Sequence, residues 1–357
     1  MTDTANILSL LQAQLSRWPE ANAQDLTKAL YQAEFGCGHF VSDRALGLQY
    51  LIDEQRALAC APRKAEPPFI EPLGPSYCRI HISHMQAEGL SAETLFALFA
   101  LSAEAPSGDM SDFRKKLDCM EEAAASGTLP LDAAQTAAFL SQYRAAGCPS
   151  THHSEAFRAA YAPAYRVIRA DYARFLPLFC AIDRLMKTKD QVTVAIEGGS
   201  ASGKSTLGDL LQNVYSANLF HMDDFFLQPH QRTPERFREI GGNVDYERFL
   251  EEVLKPLAQG RPFAYRVFDC SEMALGDTVE VQPNRLNIIE GAYSMHPKLC
   301  GGYDLSCFIA IDPDEQSERI LRRNGPVMQQ RFLNEWIPLE KRYFEGADVK
   351  ARCTLIL

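Results

Sequence analysis

The sequence predicts an α/β fold with a parallel sheet in the C-terminal half, preceded by a mainly helical half with at most a small sheet. A strand pattern at 192–198 is followed by a glycine turn and a helical pattern, which is how an α/β unit opens. Apolar segments at 218–222, 286–293 and 307–312 have the length and side chains of further parallel strands. In residues 1–186, apolar residues instead recur at the three-and-four spacing of amphipathic helices.

Length, composition and charge limit the possible functions. The chain has 357 residues, enough for about two domains of roughly 150 residues each. Its 46% apolar and 23% charged residues are typical of an ordered globular protein. The formal net charge of -10 argues against a broad surface for nucleic acid or an anionic membrane. We therefore expect small-molecule partners.

Three further features favour a cytoplasmic location. The apolar stretch at 94–103 is too short to span a bilayer, which takes about 20 residues. The N-terminus lacks the basic region and cleavage site of a secretion signal. The 10 cysteines form no Cys-x-x-Cys pair, which is typical of reduced and mostly buried thiols, with a disulfide or zinc framework as the alternative.

The N-terminal half is predicted as a series of helices separated by short breaks. These helices are predicted at 7–15, 46–58, 90–101, 133–143 and 164–186, the last with a kink at Pro177. Between them, proline-rich residues 61–75 are predicted as a loop and 77–83 as a short strand. The polar segment 187–191 is predicted as a linker, which gives a mainly helical domain at 1–186 and an α/β domain at 187–357.

A phosphate-binding loop follows the first strand of the α/β domain. The pattern is G-x-x-x-x-G-K-S, and its glycines let successive backbone N–H groups face phosphate oxygens at the N-terminus of a helix. Lys204 is expected to reach the β- and γ-phosphates, and the Ser205 hydroxyl to bind Mg²⁺. A nucleoside triphosphate and Mg²⁺ are thus the predicted ligands of this loop. The predicted nucleotide-binding residues are Gly198, Gly199, Ser200, Ala201, Ser202, Gly203, Lys204, Ser205 and Thr206.

Two carboxylates follow the second predicted strand. The carboxyl ends of neighbouring parallel strands meet at one edge of a sheet, so Asp223 and Asp224 are expected near the phosphate loop. A carboxylate there can accept the proton of a hydroxyl and help to hold the metal. Asp223 is the candidate base, and a helix cap is the alternative that we favour for Asp224.

The C-terminal half resembles the uridine kinase family, within a wider group that includes nicotinamide riboside kinase, pantothenate kinase and phosphoribulokinase. The resemblance covers residues 192–357 and rests on the segments GGSASGKST, MDDFF, NVDYERF, YRVFD, IIEGAY and IDPDEQSERILRR. It implies a three-layer P-loop kinase domain. It also implies an ATP- and Mg²⁺-dependent kinase that phosphorylates a hydroxyl of a nucleoside or a related metabolite.

The resemblance further implies roles for five residues. Asp223 would be the catalytic base and would also contact the metal, and Glu290 would be the second acidic metal ligand, unless Glu290 simply closes its strand. Asp245 would bind sugar hydroxyls, with a solvated loop residue as the alternative. Arg319 would bind the substrate and Arg322 would be catalytic, and both lie on the helix that leads into the lid. There a guanidinium can stabilise the charge of the transferred group, although such arginines are also common on exposed helix faces.

Two segments depart from the family pattern. Where a tyrosine and then a histidine are expected around the base pocket, this chain has Phe268 with Asp269, and then Met273. Phe268 is therefore the predicted substrate-binding residue of an altered pocket. After Arg323, the lid lacks closely spaced arginines, and Arg331 can substitute for them.

The N-terminal half contains two unassigned clusters, at 34–40 and 151–166. Four residues of these clusters can form a metal or acid–base site, namely His39, His152, His153 and Glu155. The alternatives are a glycine turn in the first cluster and a helix start capped by Thr151 or Ser154 in the second. The role of this half stays open between substrate capture, regulation and subunit contact, the last in a homo-oligomer.

Two other functions remain as alternatives. The chain can be a nucleotide-dependent regulatory switch. It can also be a metal-dependent N-terminal catalyst with the kinase fold as its nucleotide sensor.

Overall fold

A computed structural model describes residues 4–37, 43–58, 64–104 and 107–357 of the chain. It divides into two compact units, Met1–Cys180 and Ala181–Leu357. In the described part of the chain, no helix is both long and apolar enough to cross a membrane.

The N-terminal unit is mainly helical and contains one small sheet. Its helices are α1 (Thr4–Arg17), α2 (Ala23–Phe35), α3 (Arg44–Leu58), α4 (Met85–Glu88), α5 (Ala92–Glu104), α6 (Met110–Ala125), α7 (Ala133–Ala145), α8 (Glu155–Tyr161) and α9 (Ala170–Ala173). Its strands are β1 (Ile70–Pro72), β2 (Tyr77–His81) and β3 (Tyr165–Arg169), and they form an antiparallel sheet in the order β1-β2-β3. The prediction of a mainly helical unit with a small sheet is confirmed.

The core of this unit lies where α1, α2, α6 and α7 pack together. Leu11 of α1, Leu26 and Leu30 of α2, Leu117 of α6 and Leu140 of α7 are all fully buried there. Apolar residues at three-and-four spacing line the inner face of each helix, and of these four helices the sequence pattern predicted α1 and α7. Helix α2 begins with a capping box, since its cap side chain and the acid three residues later satisfy each other's backbone N–H groups.

The helix predicted over 164–186 is wrong. The described chain has β3 at Tyr165–Arg169, the short α9, and a new helix, α10 (Leu176–Met186). β3 pairs with β2 along its whole length, from Tyr77 opposite Arg169 to His81 opposite Tyr165. This pairing supplies the ladder hydrogen bonds on one side of β3 and overrides its helical pattern. Pro177 lies in the first turn of α10, where it causes no kink.

The C-terminal unit is built on a parallel sheet. Its helices after α10 are α11 (Lys204–Tyr215), α12 (Pro234–Arg238), α13 (Tyr246–Phe249), α14 (Lys255–Ala258), α15 (Pro313–Arg331), α16 (Ile337–Gly346) and α17 (Val349–Arg352). Its strands are β4 (Val192–Gly198), β5 (Asn218–His221), β6 (Phe263–Asp269), β7 (Ala274–Val281), β8 (Leu286–Glu290), β9 (Leu305–Ile309) and β10 (Leu355–Ile356). The predicted linker at 187–191 lies between α10 and β4.

Five strands form the sheet in the order β10-β9-β4-β8-β5, and all their pairings are parallel. Helix α11 covers one face. The other face packs against the helical segments around Phe249, Val253, Tyr343 and Val349, which share one apolar core with the strands. The predicted α/β fold with a parallel sheet and three layers is confirmed. β6 and β7 form a separate antiparallel hairpin that the sequence did not predict.

The sheet brings three strand ends together. β4 lies between β9 and β8, and β8 lies between β4 and β5. β4 ends at Gly198, β8 at Glu290 and β5 at His221, so these residues meet at the carboxyl edge of the sheet. In α/β sheets this edge is where ligands bind.

Candidate active site

The phosphate loop occupies residues 198–203 between β4 and α11. Gly198 has a φ of 152°, and a Cβ there would lie 2.6 Å from the backbone oxygen of Ile309 in β9. A side chain is therefore excluded at Gly198. Gly203 has a φ of 101° and begins α11, and the space where its Cβ would lie is open. The loop thus forms a cradle at the N-terminus of α11, as an anion site requires.

The ammonium group of Lys204 reaches across this cradle. The side chain is buried, and its Nζ donates a hydrogen bond to the carbonyl oxygen of Gly199 at 2.9 Å. Within the described residues, no carboxylate lies at ion-pair distance from this ammonium group. A buried ammonium group without a direct ion pair at the N-terminus of a helix fits a phosphate group of a nucleotide.

Two helices hold the loop from outside. Gln316 of α15 donates a hydrogen bond from Nε2 to the carbonyl oxygen of Ser200 at 2.8 Å, and Arg319 donates from Nη1 to that of Ala201 at 3.2 Å. Glu340 of α16 is 5% exposed and accepts hydrogen bonds from Ser200 N–H at 3.0 Å and from the Ser200 hydroxyl at 2.5 Å. Burial raises the pKa of Glu340. No local sequence pattern singles out Glu340.

A second buried carboxylate lies directly before the loop. Glu197 is fully buried and accepts hydrogen bonds from the backbone N–H groups of Gly198 at 2.8 Å and Met295 at 3.1 Å, and from the Tyr343 hydroxyl at 3.0 Å. Burial nevertheless raises the pKa of Glu197 to about 7. The position of Glu197 at the end of a wholly buried strand is the one sequence signal that could have identified it.

Beside the loop, three side chains form a polar group across neighbouring strands. The Ser205 hydroxyl donates a hydrogen bond to Glu290 Oε1 at 3.2 Å, and His221 Nδ1 donates to the same oxygen at 2.6 Å. This hydrogen bond to Glu290 is the main reason why the pKa of His221 is raised. The sequence analysis did not single out His221, although it stands two residues before Asp223.

These oxygen ligands fit Mg²⁺. Mg²⁺ is usually held by one or two carboxylates together with substrate phosphates and water. The Ser205 hydroxyl and the carboxylates of Glu290 and Asp223 supply protein ligands of this type around one cavity. In the described part of the chain, no group of three or more His, Cys, Asp or Glu side chains is arranged to hold a metal by itself. A phosphate-bound Mg²⁺ needs no such group.

Asp223 stands in a short 3₁₀ turn after β5 and faces the cavity. Asp223 is exposed to the cavity and lines its wall. Burial, and then the charge of Glu290, raises the pKa of Asp223. Neighbouring Asp224 accepts a hydrogen bond from the Tyr265 hydroxyl at 3.1 Å. The helix cap expected for Asp224 is wrong, because this carboxylate binds the β6 strand.

The cavity has a volume of about 740 Å³. Its walls combine the phosphate loop, the carboxylates of Asp223 and Glu290, aromatic rings and guanidinium groups. The residues that line it away from the loop and these carboxylates include Phe226, Arg232, Phe268, Met273, Tyr293, Arg319, Arg323, Arg331, Phe332, Trp336 and Glu340. Phe268, Arg319 and Arg331, all considered from the sequence, are therefore in this wall.

Two other predicted site residues lie elsewhere. Arg322 is exposed on α15, and its neighbour Arg323 lines the cavity instead. Asp245 is 2% exposed and caps α13, since its carboxylate accepts hydrogen bonds from the backbone N–H of Arg248 at 3.1 Å and from Gln231 Nε2 at 2.8 Å. Asp245 thus serves the local fold and is not a solvated loop residue.

The N-terminal clusters are arranged as follows. His39 lies outside the described residues. His152 and Glu155 are exposed, whereas His153 is buried and bonded to Asp25 at 2.8 Å through Nδ1. Ser154 caps α8 by accepting a hydrogen bond from the backbone N–H of Phe157 at 3.2 Å, which confirms the helix-start interpretation.

Comparisons with known proteins reach only half of the chain. No family model and no curated protein matches the sequence. Among solved structures, a possible uridine kinase from Bacillus stearothermophilus is 21% identical over 50% of this chain and 98% of its own, with a TM-score of 0.39. A candidate fructose transport system kinase from a Silicibacter species is 20% identical over 50% of this chain and 97% of its own, with a TM-score of 0.42. Deoxyadenosine kinase from M. mycoides is 14% identical over 46% of this chain and 89% of its own, with a TM-score of 0.23.

Proposed function

We propose that the C-terminal unit is a kinase that transfers the γ-phosphoryl group of ATP to a hydroxyl of a small molecule. One observation carries the proposal: the phosphate loop and Asp223 line the same cavity of about 740 Å³. A donor site for phosphates and a candidate base for the acceptor therefore open into the same space.

The donor side binds the nucleotide. The backbone N–H groups of the loop and the Lys204 ammonium hold the phosphates, and the positive end of α11 adds to their stabilisation. Mg²⁺, when bound, neutralises charge on the phosphates. The Ser205 hydroxyl and Glu290 would hold it, and His221 keeps Glu290 in place through its 2.6 Å hydrogen bond.

The acceptor side carries the base. The acceptor hydroxyl gives its proton to the Asp223 carboxylate while its oxygen bonds to the γ-phosphorus and the bond to the β-phosphate oxygen breaks, which releases ADP. The raised pKa of Asp223 makes it a better proton acceptor than an ordinary aspartate. Arg319, Arg323 and Arg331 offer guanidinium groups for the charge of the transferred group.

The wall composition favours an acceptor with a ring system. Phe226, Phe268 and Trp336 supply aromatic faces, and Arg232 supplies a planar cation. A nucleoside or a related sugar-bearing compound presents a flat ring and a free hydroxyl, which suits these faces. A cytoplasmic location, where Mg-ATP is abundant, fits this activity.

The test is ADP release by the full-length protein with Mg-ATP against a panel of nucleosides, ribosides, pantothenate and sugar phosphates. Mass spectrometry of the products identifies any phosphorylated acceptor. A product from one class supports the kinase. ATP hydrolysis or nucleotide-dependent partner binding without any phosphorylated acceptor would instead support a nucleotide-dependent switch.

A further inference from the structure

The N-terminal unit contains a cavity of about 380 Å³ that the kinase activity does not use. It opens between α2, α3, α8 and β3. Most of its charged or imidazole side chains are basic, and the acidic exception is Glu54. The basic ones are Lys28, His152, His153, Arg158 and Arg166. This is unexpected in a chain with a net charge of -10, so a local function has to explain it.

The positive charge of the cavity is only partly compensated. Arg166 Nη1 pairs with Glu54 Oε2 at 2.8 Å. Among the described residues, neither Lys28 nor Arg158 has a carboxylate at ion-pair distance. The wall carries three cations, Lys28, Arg158 and Arg166, against the one carboxylate of Glu54.

Lys28 shows the energetic cost of this arrangement. Its Nζ donates a hydrogen bond to the carbonyl oxygen of Thr151 at 2.8 Å. Burial, and then the nearby charge of Arg79, lowers the pKa of Lys28 to about 8. The surroundings of Lys28 thus disfavour its charged form. An anion bound in the cavity would stabilise that charged form.

The back wall of the cavity is fixed by a chain of hydrogen bonds. His153 Nδ1 donates to Asp25 Oδ1 at 2.8 Å, and His153 Nε2 accepts from the Tyr165 hydroxyl at 2.6 Å. Burial lowers the pKa of His153 to about 4, so this ring is neutral at pH 7. The ring stacks on Phe157 at a centroid distance of 4.1 Å. The His153 ring at the back of the cavity is therefore held in one orientation, as a binding site requires.

We propose that this cavity binds a phosphate monoester. The cations in the wall exceed its carboxylate by two charges, which matches that dianion, whereas a carboxylate ligand would neutralise only one of them. The Arg158 guanidinium can bind phosphate oxygens through two parallel N–H groups, and Lys28 adds a point charge. The volume accommodates a small organic group beside the phosphate. Phosphate monoesters are also the product class of the proposed kinase, but the inference does not rest on that reaction.

The test is a titration of the full-length protein with glycerol 3-phosphate, followed by NMR of labelled histidine side chains. We expect saturable shifts of His152 and His153, and the signals of these two residues, His84 and His221 are each assigned with the corresponding His→Gln variant. His84 lies outside the cavity and should not move. His221 reports binding at the phosphate loop, so the two sites are read separately in one experiment.

Variants complete the test. Arg158→Gln should weaken binding at His152 and His153 by about tenfold or more, because it removes a charged hydrogen-bond donor. Arg158 is exposed, so this change should not affect folding. The matched control Arg56→Gln, on the exposed face of α3, should leave binding unchanged. The proposal is overturned if no saturable shift occurs, if acetate binds as tightly as glycerol 3-phosphate, or if Arg158→Gln binds like the wild type.

Discussion

Glu340 accepts hydrogen bonds from both the backbone N–H and the hydroxyl of Ser200, although the two residues are 140 positions apart. This contact attaches α16 directly to the phosphate loop. Because Glu340 also lines the cavity, the C-terminal helix both holds the loop and shapes the site. The loop therefore depends on tertiary contacts as well as on its glycines.

The Glu340–Ser200 contact should contribute measurably to stability. In a double-mutant cycle, Glu340→Ala and Ser200→Ala should show a coupling free energy of about 1–2 kcal/mol, because a charge-assisted hydrogen bond in a buried place is lost. Chemical denaturation followed by Trp336 fluorescence measures it in a Trp18→Phe background. In that background the only remaining tryptophan lies in the C-terminal unit.

The exposed pair Glu251 and Lys255 on the surface of the same unit is the matched control for this cycle. Its coupling should stay below about 0.5 kcal/mol, as for solvent-exposed pairs one helical turn apart. Equal coupling in the two cycles would mean that Glu340 contributes no more than a surface ion pair.

Asp223→Asn should lower phosphoryl transfer by about a hundred- to ten-thousandfold while ATP still binds, since the amide cannot accept the acceptor proton. Steady-state ADP release and ATP titration measure the two effects. The control is Asp277→Asn in the exposed β6–β7 hairpin, which should keep normal turnover. Near-normal turnover of Asp223→Asn would remove this carboxylate from the reaction.

The pH profile of turnover should also report Asp223. A base acts only when it is ionised, so activity should fall as the pH drops through the pKa of Asp223. Because burial and Glu290 raise this pKa, the acidic limb should lie above the ordinary value of 3.8. A plot of kcat/KM against pH locates that limb, and a limb at the ordinary value would contradict the assignment.

Glu197 should make the C-terminal unit less stable as the pH rises. Its folded-state pKa of about 7 lies above the ordinary value of 4.5. The protonated form therefore stabilises the fold fully below about pH 4.5, and this contribution is lost as the pH rises through about 7. The loss should amount to about 3 kcal/mol at most.

Glu197→Gln isolates this effect because the amide does not titrate. The difference in free energy of unfolding, wild type minus variant, should decrease between about pH 4.5 and about pH 8, measured by denaturation with Trp336 as reporter. A difference that stays constant over this range would show that Glu197 titrates at the same pH in the folded and unfolded chain.

In the N-terminal unit, Arg79→Met should be strongly destabilising. Arg79 and Glu71 are each 1% exposed and form an ion pair at 3.1 Å. Burial alone would raise the pKa of Glu71, but the charge of Arg79 and the hydrogen bond of His81 hold it well below its usual range. Removal of the cation leaves a buried carboxylate unpaired, which costs about 3–5 kcal/mol.

Trp18 reports this loss, since its Nε1 donates a hydrogen bond to Glu71 Oε1 at 3.2 Å. Denaturation in a Trp336→Phe background gives the free energy of unfolding of the N-terminal unit. The control Arg56→Met removes an exposed arginine of α3 and should change stability by less than about 0.5 kcal/mol. If Arg79→Met behaves like that control, the buried pair is dispensable.

Much of the site was predictable because its signals are local. The phosphate loop from Gly198 to Ser205 is defined by consecutive residues between a strand and a helix. Asp223 and Glu290 follow strands, and the parallel order of the sheet then places them beside the loop. The order of the strands alone therefore predicts that these residues lie at the site.

The remainder depends on contacts that no local pattern shows. Glu340 meets Ser200 only because α16 packs back onto the loop. Tyr165–Arg169 becomes a strand because it pairs with β2, far away in the sequence. Which of Arg322 and Arg323 lines the cavity depends on the rotation of α15 about its axis. Gly325, with a φ of 76°, interrupts this helix nearby.

The proposed function of the cavity is to transfer a phosphoryl group between two small molecules. The most direct measurement is a single-turnover reaction with γ-labelled ATP and the acceptor panel, comparing the wild type with Lys204→Met. We expect label on one class of organic hydroxyl in the wild type and a loss of about a hundredfold or more in the variant. Label found only in inorganic phosphate, or equal transfer by Lys204→Met, would contradict it.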